Sequence, residues 1–329
     1  MNDLAAPSPR RIAVAPMLDW TDRHCRHFHR LLAPHAWLYT EMVTTGALLF
    51  GDVARHLRFG EAEHPVALQL GGSEPEDLAR CAALAEEWGY DEVNLNCGCP
   101  SERVQRGAFG ACLMNEPKLV ADCITAMRGA TTLPVTVKHR IGIDRIEDYT
   151  FVHDFVDMVA GAGCRTFIVH ARNAWLKGLS PKENREIPPL RYEVAHQLKR
   201  DFPEYEFLLN GGLADTQAIR VQLEHMDGVM IGREAYHNPW ILAEWEQAFC
   251  DPAWQPERRE IIPGMVAYAA CEAREHGTPL RAICRHMLGL ANGLPGAKNY
   301  RRLLSDPDAL RTAGPELLED AWNCVRQPG

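Results

Sequence analysis

The chain has 329 residues, of which 46% are hydrophobic and 24% are charged, and this composition is typical of a globular protein and excludes an intrinsically disordered one. No apolar run approaches the roughly 20 residues that a membrane-spanning helix needs, and residues 1–10 lack the basic and then apolar layout of a signal peptide, so we expect a cytoplasmic protein without a membrane partner. The net charge of -9, taken over the whole chain, argues against a polyanionic partner.

Eight short apolar segments recur along the chain, and each is near-continuous rather than alternating, as strands buried on both faces are. They occupy residues 12–17, 37–43, 65–72, 92–96, 134–138, 166–170, 206–212 and 228–233. Patterns with helical periodicity lie between most of them, for example at 77–88, 117–127 and 148–159. Eight alternating strand and helix units predict an α/β protein with a parallel (β/α)8 TIM barrel, in preference to a doubly wound sheet.

The chain changes character after the last predicted strand. Proline dipeptides break the pattern near residues 249–255, and helical apolar spacing follows over about 263–290. Residues 258–302 hold three acidic residues and eight basic ones, namely Arg258, Arg259, Arg274, Arg281, Arg285, Lys298, Arg301 and Arg302. We predict a barrel domain over residues 1–250 and a smaller all-α domain over 251–329. The excess of positive charge in residues 258–302 fits a nucleic-acid-binding face or, equally well, a solvated helix face.

Polar residues and glycines close the apolar strands with regularity. In a (β/α)8 barrel the carboxyl ends of the strands share one mouth, where active sites lie. The residues at these ends are Pro16, Met17, Gln69, Asn96, Cys99, Lys138, Arg140, His170, Arg172, Asn210, Gly211, Gly212, Gly232 and Arg233. Glycine turns after strands seven and eight bring backbone N–H groups close to an anion. Residues 210–212 and 232–233 therefore predict the phosphate site of a cofactor.

Lys138 and His170 end neighbouring predicted strands and would project toward the same mouth. A buried lysine is costly unless it is paired, and the electron-rich N1/O2 edge of a flavin is a suitable partner. A histidine alone is as often a packed residue as a functional one. Together with the phosphate site, the pair predicts flavin mononucleotide (FMN).

The eleven cysteines are scattered and include no Cys-x-x-Cys pair, so we expect neither a disulfide framework nor a metal site. Cys97 and Cys99, where the fourth strand ends, and Cys112 are candidates for a reactive thiol. Strand alternation puts Cys97 and Cys99 on similar sides, so the pattern alone leaves the choice between them open.

Seven motifs occur in order over nearly the whole chain. They are Ala15-Pro16-Met17, Gln69-Leu70-Gly71, Asn94-Leu95-Asn96-Cys97-Gly98-Cys99-Pro100, Val137-Lys138-His139-Arg140-Ile141-Gly142, His170-Ala171-Arg172, Asn210-Gly211-Gly212 and Gly232-Arg233. Together they resemble the tRNA-dihydrouridine synthases. Residues 178–185 and 285–290 resemble the DusA-type subfamily in particular.

The resemblance implies an FMN-containing barrel that reduces the C5–C6 double bond of uridine in the tRNA D-loop, with NADPH as the reductant. The subfamily implies positions 20 and 20a, and we expect a monomer that contacts the tRNA elbow region. The implied flavin contacts are Pro16, Met17, Leu18, Gln69, Lys138 and His170, with Asn210, Gly211, Gly212, Gly232 and Arg233 at the phosphate. The expected substrate and tRNA contacts are Asn96, Arg140, Arg172, Glu183, Asn184, Arg185, Lys298, Arg301 and Arg302.

Cys99 matches the position of the family's catalytic acid, and the chemistry accounts for a thiol there. Hydride transfer from flavin N5 to uracil C6 leaves negative charge, and a protonated thiol is a suitable donor of the proton that C5 needs. Cys99 must therefore begin protonated, unlike a nucleophilic cysteine. Asn96 can donate and accept at the uracil edge, and Arg140 or Arg172 could stabilise the developing charge. Cys97 is then expected to be a packed strand residue.

Two other functions fit parts of the sequence. A flavin barrel that reduces a free pyrimidine or an enone would share the barrel motifs but would have no use for the basic C-terminal segment. A non-catalytic RNA-binding barrel would use that segment and bind no flavin.

Overall fold

The computed structural model describes residues 9–326, and within this range the chain forms eight β-strands and sixteen α-helices. The strands are β1 (Ile12–Val14), β2 (Leu38–Thr44), β3 (Val66–Gly71), β4 (Glu92–Cys97), β5 (Val135–Arg140), β6 (Thr166–His170), β7 (Glu206–Asn210) and β8 (Gly228–Ile231). The helices are α1 (Arg23–Leu32), α2 (Thr45–Phe50), α3 (Val53–Leu57), α4 (Pro75–Glu87), α5 (Glu102–Arg106), α6 (Pro117–Ala130), α7 (Tyr149–Gly161), α8 (Tyr192–Asp201), α9 (Thr216–Gln222), α10 (Arg233–His237), α11 (Ile241–Phe249), α12 (Ile261–His276), α13 (Leu280–Met287), α14 (Ala297–Leu303), α15 (Pro307–Thr312) and α16 (Leu317–Trp322). Short 3-10 helices lie at Glu61–Glu63, Gly110–Asn115, Glu183–Arg185 and Arg258–Glu260. Each of the eight apolar segments contains one of the strands.

The eight strands form one parallel sheet in the order β1, β8, β7, β6, β5, β4, β3, β2. The two ends of the sheet meet through a parallel bridge between Ala13 and Trp37. Here the Val14 N–H donates to the Trp37 carbonyl at 2.9 Å, and the Trp37 N–H donates to the Ile12 carbonyl at 2.9 Å. At least one helix lies between every two consecutive strands, as parallel pairing requires. The predicted (β/α)8 barrel is therefore confirmed.

Local sequence explains where the barrel elements begin and what they bury. Helices α4 and α6 each begin with a proline, which needs no N–H partner in the first turn, and Asp148 caps α7 by accepting from the Thr150 N–H. These three helices correspond to the predicted segments 77–88, 117–127 and 148–159. Six strands contribute one buried cluster, made of Ala13, Ala15, Tyr39, Ala67, Ile168, Leu208 and Met230.

The chain divides into two compact units. Of the described residues, the first comprises 9–18 together with Trp37–Gly232 and holds all eight strands. The second comprises Asp19–Ala36 together with residues 233–326. This division differs from the predicted boundary after residue 250, because α1, α10 and α11 group with the C-terminal helices. Helix α1 packs against α11, α12 and α13, and it buries Cys25, Phe28 and Leu32.

The described residues of the second unit form helices and no strand. The predicted helical stretch 263–290 contains two helices, α12 and α13, which are separated at Gly277–Pro279. Asp22 caps α1 by accepting from two backbone N–H groups, and its carboxylate also pairs with Arg285 Nη2 at 2.5 Å and His286 Nε2 at 3.0 Å. Within residues 9–326, none of the helices is both long and apolar enough to cross a membrane.

Candidate active site

The turn that carries Cys99 begins directly after β4. The side chain of Asn96 holds this turn, because its Oδ1 accepts from the Gly98 N–H at 3.1 Å and from the Cys99 N–H at 3.0 Å. Ser101 caps the next helix by accepting from the Val104 N–H, and the Cys99 thiol donates to Ser101 Oγ at 3.6 Å. Because both lone pairs of Asn96 Oδ1 are occupied, Asn96 can only donate to a ligand, which corrects the expectation that it both donates and accepts.

The glycine-bearing run after this turn supports it from the other side. The Ala111 N–H donates to the Cys99 carbonyl at 2.9 Å. Gly110 has a φ of 77°, and a Cβ at this position would lie 2.6 Å from the Cys99 carbonyl oxygen and 2.4 Å from Val104 Cγ1. Only glycine fits a backbone position that combines this left-handed conformation with so close an approach.

Burial sets Cys97 apart from the other two candidate thiols, Cys99 and Cys112, which are both half-buried. Cys97 is completely buried at the end of β4, and burial raises its pKa well above the ordinary value. Cys112 donates to the Phe109 carbonyl at 3.0 Å, and burial raises its pKa as well. Cys99 is half-buried and reaches solvent. The prediction that Cys97 is a packed strand residue is confirmed. In the described part of the chain, no group of three or more His, Cys, Asp or Glu side chains is placed to hold a metal ion.

Lys138, Arg140 and His170 lie on adjacent strands beside this turn. In strand register Asn96 is opposite Lys138, and Arg140 is opposite His170. Lys138 is half-buried, and within residues 9–326 its side-chain ammonium has no hydrogen-bond or ion-pair partner. Burial and the nearby Arg140 lower its pKa to about 7. Burial, with the charges of Arg140 and Lys138, also holds the pKa of His170 well below 6.5, so its imidazole is neutral at pH 7.

Arg140 connects the Cys99 turn to the loop segments that carry Asn173 and Asn184. Its Nε donates to the Gly98 carbonyl at 3.1 Å, and its Nη1 donates to the carbonyls of Asn173 at 3.3 Å and Asn184 at 3.0 Å. Burial lowers its pKa to about 9. Through these contacts the predicted substrate residue Arg140 also positions the Cys99 turn.

The predicted phosphate residues lie where β7 and β8 end. Asn210 Nδ2 donates to the Met230 carbonyl at 2.7 Å and so joins the two strand ends. Gly211 and Gly212 have φ angles of 121° and 68°, and a Cβ on Gly212 would come within 2.4 Å of Leu190. A Cβ on Gly232, by contrast, would meet nothing within 4 Å, so this turn has open space beside its backbone. Arg233 begins helix α10 directly after it.

The remaining predicted flavin residues differ in exposure. Pro16 and Met17 follow β1 and are half-buried, and Leu18 is 68% exposed. Gln69 is buried, and it donates to Asn94 at 2.7 Å and accepts from Asn96 at 2.9 Å. One N–H and one lone pair of Gln69 remain for a ligand.

The predicted RNA contacts near β6 include exposed and buried side chains. Glu183 and Arg185 are exposed, and Glu183 accepts from the Ser180 N–H at 2.8 Å. Asn184 is fully buried, and it accepts from the Trp175 N–H at 2.8 Å. In this conformation Asn184 shapes the loop and presents no side chain to a partner. Arg172 donates from Nη1 to the carbonyls of Glu186 and Pro188.

Lys298, Arg301 and Arg302 are exposed on α14, in the second unit. Their spacing of three and four residues places them on one face of the helix, and Ala297 and Tyr300 are buried. Arg301 Nη1 donates to Asn292 Oδ1 at 3.1 Å.

Sequence reasoning missed a set of side chains behind the Cys99 turn. Glu92, Thr136, Asn94, Gln69 and Asn96 form a continuous hydrogen-bonded set, hereafter the buried polar network. One sign of it was present in the sequence, since polar residues occupy alternate positions 92, 94 and 96 of a strand that is otherwise apolar.

The barrel and the residues at its carboxyl edge define a flavin-dependent oxidoreductase. The dihydrouridine synthase (Dus) profile matches residues 13–325, and the chain belongs to this family. A protein of Pseudomonas putida named tRNA-dihydrouridine(20/20a) synthase is 59% identical over 316 residues, covering 95% of this chain and 94% of its own. A protein of Xanthomonas campestris with the same name is 54% identical and covers 94% of this chain and 92% of its own.

Solved structures of morphinone reductase have a similar fold. One, in complex with tetrahydroNAD, has a TM-score of 0.53 at 14% identity and covers 74% of this chain and 90% of that chain. Another has a TM-score of 0.51, also at 14% identity, and the match covers 75% of this chain and 91% of that chain. At this identity the likeness concerns the fold alone.

Proposed function

We propose that the chain is a tRNA-dihydrouridine synthase that reduces uridine at positions 20 and 20a of the tRNA D-loop. The observation that carries the proposal is the near full-length similarity, at 54–59% identity, to relatives that bear this name. The proposal includes FMN as the bound cofactor, NADPH as the reductant, a monomeric enzyme and a cytoplasmic location.

The residues of the barrel mouth fit FMN. Lys138 is a half-buried lysine whose ammonium has no anionic partner among residues 9–326, and the electron-rich edge of the isoalloxazine supplies one. The open backbone beside Gly232 and the left-handed turn at Gly211–Gly212 suit a phosphate group, and Arg233 adds positive charge. Pro16, Met17, Leu18, Gln69, His170 and Asn210 complete the proposed flavin contacts. When bound, the reduced flavin supplies the hydride that adds to C6 of uracil.

Cys99 is the proposed proton donor to C5. Among the three candidates it is the thiol that both lies where β4 ends and has access to solvent. The S–H bond breaks as the C5–H bond forms, and the thiolate that remains recovers a proton from solvent. Lys138 and Arg140 lie close enough to interact with the charge of Cys99, so they stabilise this thiolate.

The proposed substrate is a base turned out of a folded RNA loop, and backbone contacts must offset the cost of this movement. Asn96 presents an N–H to the base, and Arg140 and Arg172 lie at the same barrel edge. Lys298, Arg301 and Arg302 offer three cations on one exposed helix face for phosphates. Glu183 and Arg185 are exposed on the loop that Asn184 shapes.

The first test is to map dihydrouridine in tRNA from cells that lack this protein, with and without its return. We expect its loss at positions 20 and 20a and its recovery on complementation. Purified protein should bind flavin and reduce uridine in tRNA but not free pyrimidines or enones. Activity on the small molecules alone would favour the free-pyrimidine or enone reductase, and protein without flavin absorbance would favour a non-catalytic RNA-binding barrel.

The second test assigns the thiol. Cys99→Ala should keep FMN, tRNA binding and NADPH oxidation, and it should reduce uridine about a hundredfold more slowly, because general acid catalysis contributes about that much. Cys97→Ala is the matched control and should keep its turnover. Normal turnover in Cys99→Ala together with loss in Cys97→Ala would reverse the assignment.

A further inference from the structure

A run of buried polar side chains leads from the barrel strands to the Cys99 turn. Glu92, Asn94 and Asn96 alternate along β4, so all three project to the same side of the strand. Asn94 is opposite Gln69 of β3 and Thr136 of β5 in strand register. These five side chains are between 0% and 8% exposed. Hydrogen bonds in such an environment are strong, and each unpaired group is costly.

The hydrogen bonds nearest the turn all run in one direction. The backbone N–H of Cys99 donates to Asn96 Oδ1 at 3.0 Å, and Asn96 Nδ2 donates to Gln69 Oε1 at 2.9 Å. Gln69 Nε2 then donates to Asn94 Oδ1 at 2.7 Å. Each amide thus accepts from the side of the turn and donates away from it.

The other half of the network ends on a group that can only accept. Asn94 Nδ2 donates to Thr136 Oγ1 at 2.8 Å, and the Thr136 hydroxyl gives its single proton to Glu92 Oε1 at 2.5 Å. Tyr39 also donates to Oε1, at 2.8 Å, and Arg10 Nε donates to Oε2 at 2.7 Å. Because an ionised carboxylate has no proton to give, Thr136 must donate to Glu92 and accept from Asn94.

We propose that Glu92, Thr136 and Asn94 are positioning residues that hold the Cys99 turn and set the polarity of the site. The network begins at backbone N–H groups of the Cys99 turn, which can only donate, and ends at the Glu92 carboxylate, which can only accept. Each side-chain amide between them therefore has one orientation that satisfies all its neighbours. Asn96 therefore keeps its oxygen on the turn, and of its own side-chain polar groups the second N–H is left for a ligand. Such a donor selects a carbonyl oxygen over an amino group, as uracil differs from cytosine at C4.

The selection of uracil rests on the proposed function, whereas the hold on the Cys99 turn does not. One of the two measurements in the test is therefore independent of catalytic activity. Thr136→Val removes the hydroxyl at nearly constant shape, Thr136→Ser keeps it, and Thr166→Val is the matched control. Thr166 also donates to a carboxylate, Glu206 Oε2 at 2.8 Å, and it is connected to the network only at the end far from the turn, through Arg10, which pairs with both Glu206 and Glu92. Asn94→Leu, which removes the next link, repeats the test if Thr136→Val does not fold.

The first arm measures hydrogen–deuterium exchange of the Gly98 and Cys99 amides in the holoprotein. We expect about tenfold faster exchange in Thr136→Val, and protection near that of the unmodified protein in Thr136→Ser and Thr166→Val. The second arm measures uridine reduction in tRNA by the pre-reduced enzyme. It should slow about tenfold to a hundredfold in Thr136→Val alone, because a hydrogen bond to a charged group is lost, while flavin reduction by NADPH changes less than about twofold.

Unchanged amide protection in Thr136→Val, or in Asn94→Leu where that variant takes its place, would overturn the proposal, as would equal losses in Thr166→Val. An unmodified protein that reduces no uridine would refute the proposed function, and the exchange arm would still decide whether the network holds the turn.

Discussion

The lowered pKa of Lys138 predicts that FMN binding weakens as the pH rises. Burial and the charge of Arg140 lower this pKa from 10.5 to about 7, and the lysine has no anionic partner within residues 9–326. The charged form is therefore half-populated near pH 7 and is lost as the pH rises. If the protonated ammonium pairs with the flavin, FMN binding takes up a proton above pH 7 and weakens as the pH increases.

The size of the effect follows from the protonated fraction. With a pKa of about 7, this fraction falls from about one half at pH 7 to about one per cent at pH 9. A ligand that binds only the protonated form loses affinity in the same proportion. The apparent Kd for FMN should therefore rise about fiftyfold between pH 7 and pH 9.

The assay is a titration of deflavinated protein with FMN, followed by quenching of flavin fluorescence. The range from pH 7 to pH 9 lies above the second pKa of a phosphate, about 6, so the charge of the FMN phosphate stays nearly constant. Lys138→Met should bind FMN weakly at pH 7 and show a flat profile. Lys118→Met, which changes an exposed lysine of α6, should keep the steep profile. A flat profile for the unmodified protein, or a steep one for Lys138→Met, would refute the reasoning.

Two further predictions concern the second unit. Lys298→Ala, Arg301→Ala and Arg302→Ala should each weaken tRNA binding, and the slope of log Kd against log salt should become shallower by roughly 0.7 to 0.9 for each lost phosphate contact. Filter binding at several salt concentrations measures this, with Lys118→Ala as control, and unchanged slopes would exclude an RNA role for α14. The second prediction concerns Asp22. Burial opposes its charged form, but the hydrogen bond and charge of His286 hold its pKa well below 3.8. The stability that the ionised Asp22 contributes is therefore present above about pH 4 and is lost as the pH falls further. Asp22→Asn can still cap α1 but should cost about 2 kcal/mol at neutral pH and lose this acid-dependent part, and the same dependence of melting temperature on pH in both proteins would contradict the role of the charge.

The architecture of the barrel could be predicted from the sequence. The sequence is enough to distinguish strands that are buried on both faces, which are near-continuously apolar, from strands with alternating polarity. The number of such segments and the helices that connect them favour a closed parallel barrel. The same segments located the candidate site, since parallel strands bring their carboxyl ends to one edge. Lys138, Arg140 and His170 lie together for this reason.

Other features could not be predicted because they depend on contacts between distant residues. Cys97 and Cys99 are two positions apart where a strand ends, and their burial differs because Asn96 turns the backbone between them. Nothing local to residues 19–36 indicates that α1 groups with helices more than 200 residues later. The loop sequence around Asn184 likewise does not indicate that this side chain is fully buried.

The sequence by itself determined the kind of fold, the edge of the sheet that carries the site and the residue types found there, because these follow from local periodicity and from the order of motifs along the chain. Only the tertiary structure decided which of those residues are exposed, which hold others in place and in what direction their hydrogen bonds run. Asn96 shows the difference. Its amide is a possible donor and acceptor in the sequence, and the register of β3, β4 and β5 joins it to Glu92 and leaves it a donor. Register and burial are properties of strand pairing, and a single strand does not contain them.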